Sequence, residues 1–195
     1  MSWEILNNFL VKEHVGIFKS SNNFDIYDLH TGQVILECRE NKLGIITRLL
    51  RFTDYKTYTP FNIQIKDMQG RVIVNISRGI SIFLSKVEVK DENGILLGIF
   101  KQKLFSIGGA FSILDRLNQE IALLKGKWTG WEFNFQSKAG LHYAQVTKKW
   151  AGLGKELFTS ADNYVLSIDN NAQNNVELKK LILAAVMCID MVLKE

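Results

Sequence analysis

The basic side chains of this sequence are unevenly spread, and one stretch holds a clear excess of them over acidic ones. Between Ile99 and Lys155 stand nine basic residues (Lys101, Lys103, Arg116, Lys125, Lys127, Lys138, Lys148, Lys149 and Lys155) against Asp115, Glu120 and Glu132. A local excess of that sign suits an anionic lipid surface or a phosphate, although a merely solvated lysine-rich face has the same composition. Lys101, Lys103, Lys125, Lys127, Lys148 and Lys149 are the candidates for contact with anionic head groups. On a strand Lys148 and Lys149 would face opposite sides, so only one of the two can join the others.

Other chemistries find little footing. Catalysis asks for a nucleophile beside a base, paired carboxylates or a glycine loop that cradles phosphate, and none of these patterns occurs, so no enzyme is expected. His14, His30 and His142 have no neighbours at ligand spacing, and Gly108-Gly109 lacks the Lys-Ser/Thr of a phosphate loop. Asp162 and Asn163 could hold a cation, and they equally suit a turn before the last strand. Cys38 and Cys188 lie far apart without Cys or His companions, which fits a reduced, cytoplasmic chain better than a metal site or a disulfide framework. The start Met1-Ser2-Trp3-Glu4 has neither the basic nor the apolar part of a signal peptide, and Ser2 in place of Gly excludes myristoylation.

These residues need a scaffold, and its plan is written in a repeat. With 195 residues, 47% of them hydrophobic and a single proline (Pro60), the chain is expected to fold throughout as one domain over 1–195. Its net charge of +4 is too mild to announce nucleic acid. Five hairpin-like units follow one another: Phe24–Asp28 with Gly32 and Val34–Leu36, Ile63–Asp67 with Gly70 and Val72–Ile76, Val87–Asp91 with Gly94, Phe111–Asp115 with Asn118, and Phe133–Ser137 with Gly140. In four of them an Asp or Ser stands three places before the Gly or Asn. That spacing makes a type I turn followed by a left-handed residue, the connection that joins two twisted strands through a bulge. Period-2 alternation in the arms turns one face inward and the other to water.

Runs at Phe9–Val15, Ile45–Phe52 and Asn163–Ile168 add further strands, for twelve or thirteen in all within 9–168. So many strands are expected to close on themselves. A short helix with Ser2 as its N-cap is expected over 1–8. The tail differs in kind: Leu181 to Leu193 is apolar at every position except Asp190, which predicts a helix over 176–194. Thirteen such residues span roughly 20 Å, short of the roughly 30 Å hydrocarbon core of a bilayer, so burial inside protein is expected. A barrel of a dozen strands leaves a lumen that its own side chains cannot fill, and this helix is the natural plug. Asp190 would then bond a backbone group inside the barrel or stay protonated. Trp128, Trp131 and Trp150 suit either barrel packing or a membrane-interface belt.

Val146-Thr147-Lys148-Lys149-Trp150-Ala151-Gly152, Phe158-Thr159-Ser160-Ala161-Asp162-Asn163-Tyr164 and Leu181 to Asp190, in that order, resemble the phospholipid scramblase family within the tubby C-terminal-like superfamily, which also holds the LURP-one-related proteins. Val87 to Gln102, with Gly94, Gly98 and Gln102, is similar to that family's middle hairpin. The resemblance runs from about Asn23 to Glu195. It implies a mainly β fold, a closed antiparallel barrel of twelve strands around a central hydrophobic C-terminal α-helix. It also implies a membrane-lipid function: calcium-triggered movement of phospholipids between leaflets, or phosphoinositide binding through basic surface residues. For calcium, the family's acidic segment maps here onto Asp162, Asn163 and Asp169, with Ca²⁺ the candidate cofactor. The expected partners are anionic phospholipid head groups, at a cytoplasmic site peripheral to the membrane. A protein-interaction or signalling scaffold of the tubby-like type, without lipid transport, is the alternative.

Overall fold

A computed structural model describes residues 2–14, 23–41, 44, 47, 59–80, 84–103, 109–127, 131–148 and 163–193 of the chain. Its strands are β1 (Asn8–Glu13), β2 (Phe24–Asp28), β3 (Val34–Glu40), β4 (Phe61–Asp67), β5 (Val72–Arg78), β6 (Lys86–Asp91), β7 (Leu96–Gln102), β8 (Ala110–Leu114), β9 (Glu120–Lys127), β10 (Glu132–Gln136), β11 (His142–Thr147) and β12 (Asn163–Ile168). Each pairs antiparallel with its neighbours in the chain, and β12 pairs with β1 to close the barrel. Helix α1 (Val176–Cys188) follows and continues as a π turn over Ile189–Leu193. The expected architecture is the observed one.

The five turns share one chemistry. The carbonyls of Asp67, Asp91, Asp115 and Ser137 each accept the N–H three residues on. The side chains of Asp67, Asp91 and Asp115 also accept two backbone N–H groups of their own turns, at 2.7–2.9 Å. The left-handed residue follows as expected, with φ between 58° and 85° at Gly32, Gly70, Gly94, Asn118 and Gly140. A register shift precedes every turn, which is the bulge that such a turn produces. In the β2–β3 turn Thr31 Oγ1 and His30 N–H both donate to Asp28. The Thr31 bond, with that from His30, holds the Asp28 carboxyl below its ordinary range against the effect of burial.

Inward positions of the strands and nearly the whole of α1 make one core. Ile182 to Ile189 are all 0–1% exposed, among them Met187 and the thiol of Cys188. The barrel is therefore filled by its own tail. Gly98 lets β7 approach the helix, since a Cβ there would stand 3.0 Å from Leu181 Cδ2 and 3.1 Å from the Leu114 carbonyl. Gly126 is covered by the ring of Phe133, its cross-strand partner on β10.

Some expectations change. The helix expected over 1–8 is a single 3-10 turn, Trp3–Ile5, although Ser2 does cap it through a 3.4 Å bond from the Glu4 N–H. Eight residues are too few to pay for an isolated helical nucleus, and Asn8 instead enters the β1 ladder opposite Ser167. Of the run Ile45–Phe52, expected as a strand, only Thr47 is described, and its backbone is helical. The rest of that run lies outside the described residues. The ten hairpin arms with β1 and β12 account for the twelve strands.

Candidate functional site

Antiparallel pairing sends the ends of β7 and β9 to the same end of the barrel. It sets Lys101 and Lys103 on one side of β8, and Lys125 and Lys127 on the other. Lys103 donates its N–H to the Ala110 carbonyl, and Ala110 pairs with Lys125. Lys101 pairs with Ser112. The two lysine rows are thus two strands apart, about 10 Å, with only small side chains between them. Ala110 and Ser112 form the floor of a shallow basic trough, and all four lysines are exposed.

A fifth lysine belongs to this surface and lies outside the basic stretch of the sequence. Lys86 on β6 pairs directly with Lys101. The signal was available in the Gly94 turn, whose register fixes that partnership. Glu120 borders the lower end of the trough, taking a 2.5 Å hydrogen bond from Ser112 Oγ and an ion pair with Lys103 at 3.4 Å. The Ser112 bond, joined by the charges of Lys103 and Lys138, keeps the Glu120 carboxyl below its ordinary range despite burial. Lys101, Lys125 and Lys127 form no ion pair among the described residues. Three like charges without partners make a field that an anion would relieve.

Lys148 is placed differently. Its Nζ stands 3.6 Å from the centroid of the Trp131 ring and 5.3 Å from that of Tyr164, a cation held over aromatic faces. Trp131 accordingly packs against the core. Beneath this stack Tyr164 donates its hydroxyl proton to Asp190 Oδ1 at 2.5 Å, a side-chain partner for the helix carboxyl that the sequence did not show. Lys149, Trp128 and Trp150 lie outside the described residues.

Of the three oxygen ligands expected for calcium, Asn163 and Asp169 are not brought together. Asn163 begins β12 and Asp169 follows its end, so the length of the strand, about 20 Å, separates them. Asp169 accepts the Asn171 N–H and stands 3.6 Å from His142 Nδ1. Asp162 lies outside the described residues. Among those described, no three or more His, Cys, Asp or Glu side chains assemble as a metal site.

The histidines serve locally. His14 Nε2 is 2.6 Å from Asp25 Oδ2, and Arg39 Nη2 donates to the other oxygen at 2.6 Å. Burial acts to raise the Asp25 pKa, and the bonds from Arg39 and His14 outweigh it to give a net lowering. His142 bonds Asn134 Oδ1 at 3.1 Å, and the His30 side chain is exposed. Burial pushes both cysteine thiols far up, so neither is reactive.

Two buried cations escaped the sequence reading. Lys179, 1% exposed, donates its ammonium protons to the carbonyls of Glu4 and Leu6 (2.9 Å for Leu6) and to Asn7 Oδ1 at 3.1 Å. Burial lowers its pKa, opposed by the charge of Glu4. Arg78 donates to the Thr59 carbonyl at 2.7 Å and to Ser85 Oγ at 3.1 Å, and stacks 4.8 Å from the Phe61 ring centroid. Both tie a chain segment to an end of the barrel.

A closed barrel of twelve antiparallel strands wrapped on its own terminal helix defines a class of helix-filled β-barrel proteins. The chain belongs to the scramblase family, whose sequence model matches residues 5–195. It is 22% identical over 145 residues to human phospholipid scramblase 2, covering 67% of this chain and 48% of that protein. It is likewise 22% identical over 202 residues to altered inheritance rate of mitochondria protein 25 of Saccharomyces cerevisiae, covering 89% of this chain and 60% of that one. The chain thus spans about half the length of the scramblases it matches. Among solved structures, a protein from Arabidopsis thaliana shares the fold with a TM-score of 0.53 at 15% identity, covering 94% of this chain and 91% of that one.

Proposed function

We propose that this protein binds the surface of anionic membranes by gathering phospholipid head groups into the trough between β7 and β9. The observation that carries this reading is the placement of Lys101, Lys103, Lys125 and Lys127 around Ala110 and Ser112, with Lys86 alongside. Lysine ammonium groups act as mobile point charges that follow a phosphate without requiring one fixed geometry. Small floor residues leave room for the head group between the two lysine rows. Membership of the scramblase family and likeness to phospholipid scramblase 2 support a lipid as the partner. The helix fills the lumen, so the action proposed is capture on the outer surface and not passage through the barrel. No described helix is long and apolar enough to cross a membrane, and the attachment proposed is peripheral.

Flotation with phosphatidylcholine vesicles, with and without phosphatidylserine or a phosphoinositide, tests the reading. Each basic residue near an anionic surface contributes about 1 kcal/mol, so Lys125→Glu with Lys127→Glu is expected to lower recovery about tenfold or more. Raising the salt should weaken the wild type in the same direction. Equal recovery on neutral and anionic vesicles, or a double variant that floats like the wild type, would remove the proposal.

A further inference from the structure

The described residues expose eight large apolar side chains, and seven of them lie at the end of the barrel where the tight turns and the start of α1 meet: Ile5, Met68, Ile95, Leu117, Ile121, Leu141 and Val176. Leu117 is 75% exposed, Ile95 50% and Leu141 49%. Turn positions are where polar residues are ordinarily favoured, so apolar residues on successive turns need a reason.

The backbone at these positions is already satisfied from within. Asp91 Oδ1 accepts the Ile95 N–H at 2.7 Å, Asp115 Oδ1 the Leu117 N–H at 2.8 Å, and Ser137 Oγ the Leu141 N–H at 3.0 Å. A turn whose N–H groups are bonded to its own side chains can reach the polar interface of a bilayer without stranding donors. Between the β6–β7 and β8–β9 turns lies a groove of about 410 Å³ floored by Leu96, Leu97, Leu178 and Leu181.

The charges beside these tips are of both signs, Asp91, Glu92, Asp115 and Glu177 against Arg116, Lys138 and Lys180, and the basic excess lies further along the β7–β9 flank. Arg116 and Lys138 are exposed on adjacent turns, and neither forms an ion pair among the described residues. Glu92 is neutralised by Lys180 at 2.6 Å. The Asp115 carboxylate is engaged by its own turn, while Glu177 stands in the first turn of α1. On the same flank β9 leads outward from exposed Ile121 to exposed Lys125, four residues or about 13 Å along the strand. Apolar tips followed by basic residues on one flank match the order of acyl edge and phosphate layer in an anionic leaflet.

We infer that the β6–β7, β8–β9 and β10–β11 turns form a membrane-insertion surface: Ile95, Leu117 and Leu141 dip into the interface of an anionic bilayer while the barrel tilts onto its β7–β9 flank. This inference rests on the reading of the protein as a binder of anionic membranes and adds a second, apolar contact to the basic trough. Separate protruding tips suit a fluid surface better than one flat partner.

Cys38 and Cys188 are fully buried, so a cysteine introduced as Leu117→Cys can be labelled selectively with an environment-sensitive fluorophore such as NBD. With vesicles of phosphatidylcholine and phosphatidylserine, the label is expected to shift to the blue and to be quenched by lipids carrying a shallow acyl-chain spin label. The double variant Ile95→Asp with Leu117→Asp, altered only at exposed positions, is expected to keep the wild-type circular dichroism and to lose vesicle affinity by about tenfold or more. An unshifted label on protein that still floats with anionic vesicles would overturn the insertion and leave the trough standing. Failure of the wild type to bind any vesicle would overturn both. A blue shift that follows protein concentration without lipid would assign the tips to contact between copies of the chain and overturn the insertion as well.

Discussion

At the scale of single residues the barrel depends on places where a side chain is missing. Gly126 takes no left-handed conformation, and its role is to admit Phe133: a Cβ at this position would stand 2.1 Å from the ring and 2.5 Å from the Glu132 carbonyl. The backbone oxygen cannot swing aside as a flexible side chain would. Gly126→Ala is therefore expected to lower stability by about 1–3 kcal/mol, as overpacking does, and urea unfolding would measure it. A variant as stable as the wild type would show that β9 and β10 can separate locally without cost. The lysines of the trough were legible as candidates because charge excess is visible in composition. Lys148 was legible as a lysine and not as a cation held over two rings, because Trp131 and Tyr164 reach it only through the pairing of separate strands.

At the scale of elements, the turns are nearly self-describing, whereas the ends of the helix are not. In four of the five hairpins an Asp or Ser three places before a Gly or Asn supplies both the side-chain acceptor and the left-handed residue, and in the fifth Gly32 stands four places after Asp28, so the hairpins could be placed from local chemistry. The Lys179 ammonium, by contrast, sits under the first segment of the chain and bonds Glu4, Leu6 and Asn7 across more than 170 positions. Lys179→Met keeps a long apolar stem but leaves buried carbonyls without their donor. A loss of about 2–3 kcal/mol is expected in urea unfolding, with faster hydrogen exchange confined to the segment before β1. Unchanged stability and exchange would mean that the cost of burying the ammonium cancels its three bonds.

At the scale of the whole molecule the barrel and its helix need each other. The helix is apolar on nearly all sides, and each Leu, Ile, Val or Met that it buries contributes about 1.5–3 kcal/mol by leaving water. A chain ended after Asn175 would leave inward-facing Phe100, Phe111 and Phe135 around an empty lumen. Such a chain is expected to lose its near-ultraviolet circular dichroism and its cooperative melting, and to bind apolar dyes. A cooperative transition in that truncated chain would show that the strands alone specify the barrel.

What the sequence determined by itself was whatever rests on short-range rules: the five turns, the alternation of the strands, the apolar tail that must be enclosed, and hence a closed barrel with a plug. Those rules act between residues a few positions apart, so one chain suffices to display them. Tertiary structure alone decided which distant residues meet. It set Lys86 beside Lys101, parted Asn163 from Asp169 by a strand's length, gave Asp190 the hydroxyl of Tyr164, and collected the apolar turn residues at one end. The reason is register: a ladder fixes every cross-strand neighbour at once, and the closure of twelve strands sets which ends share a surface, while no local preference of the chain encodes either.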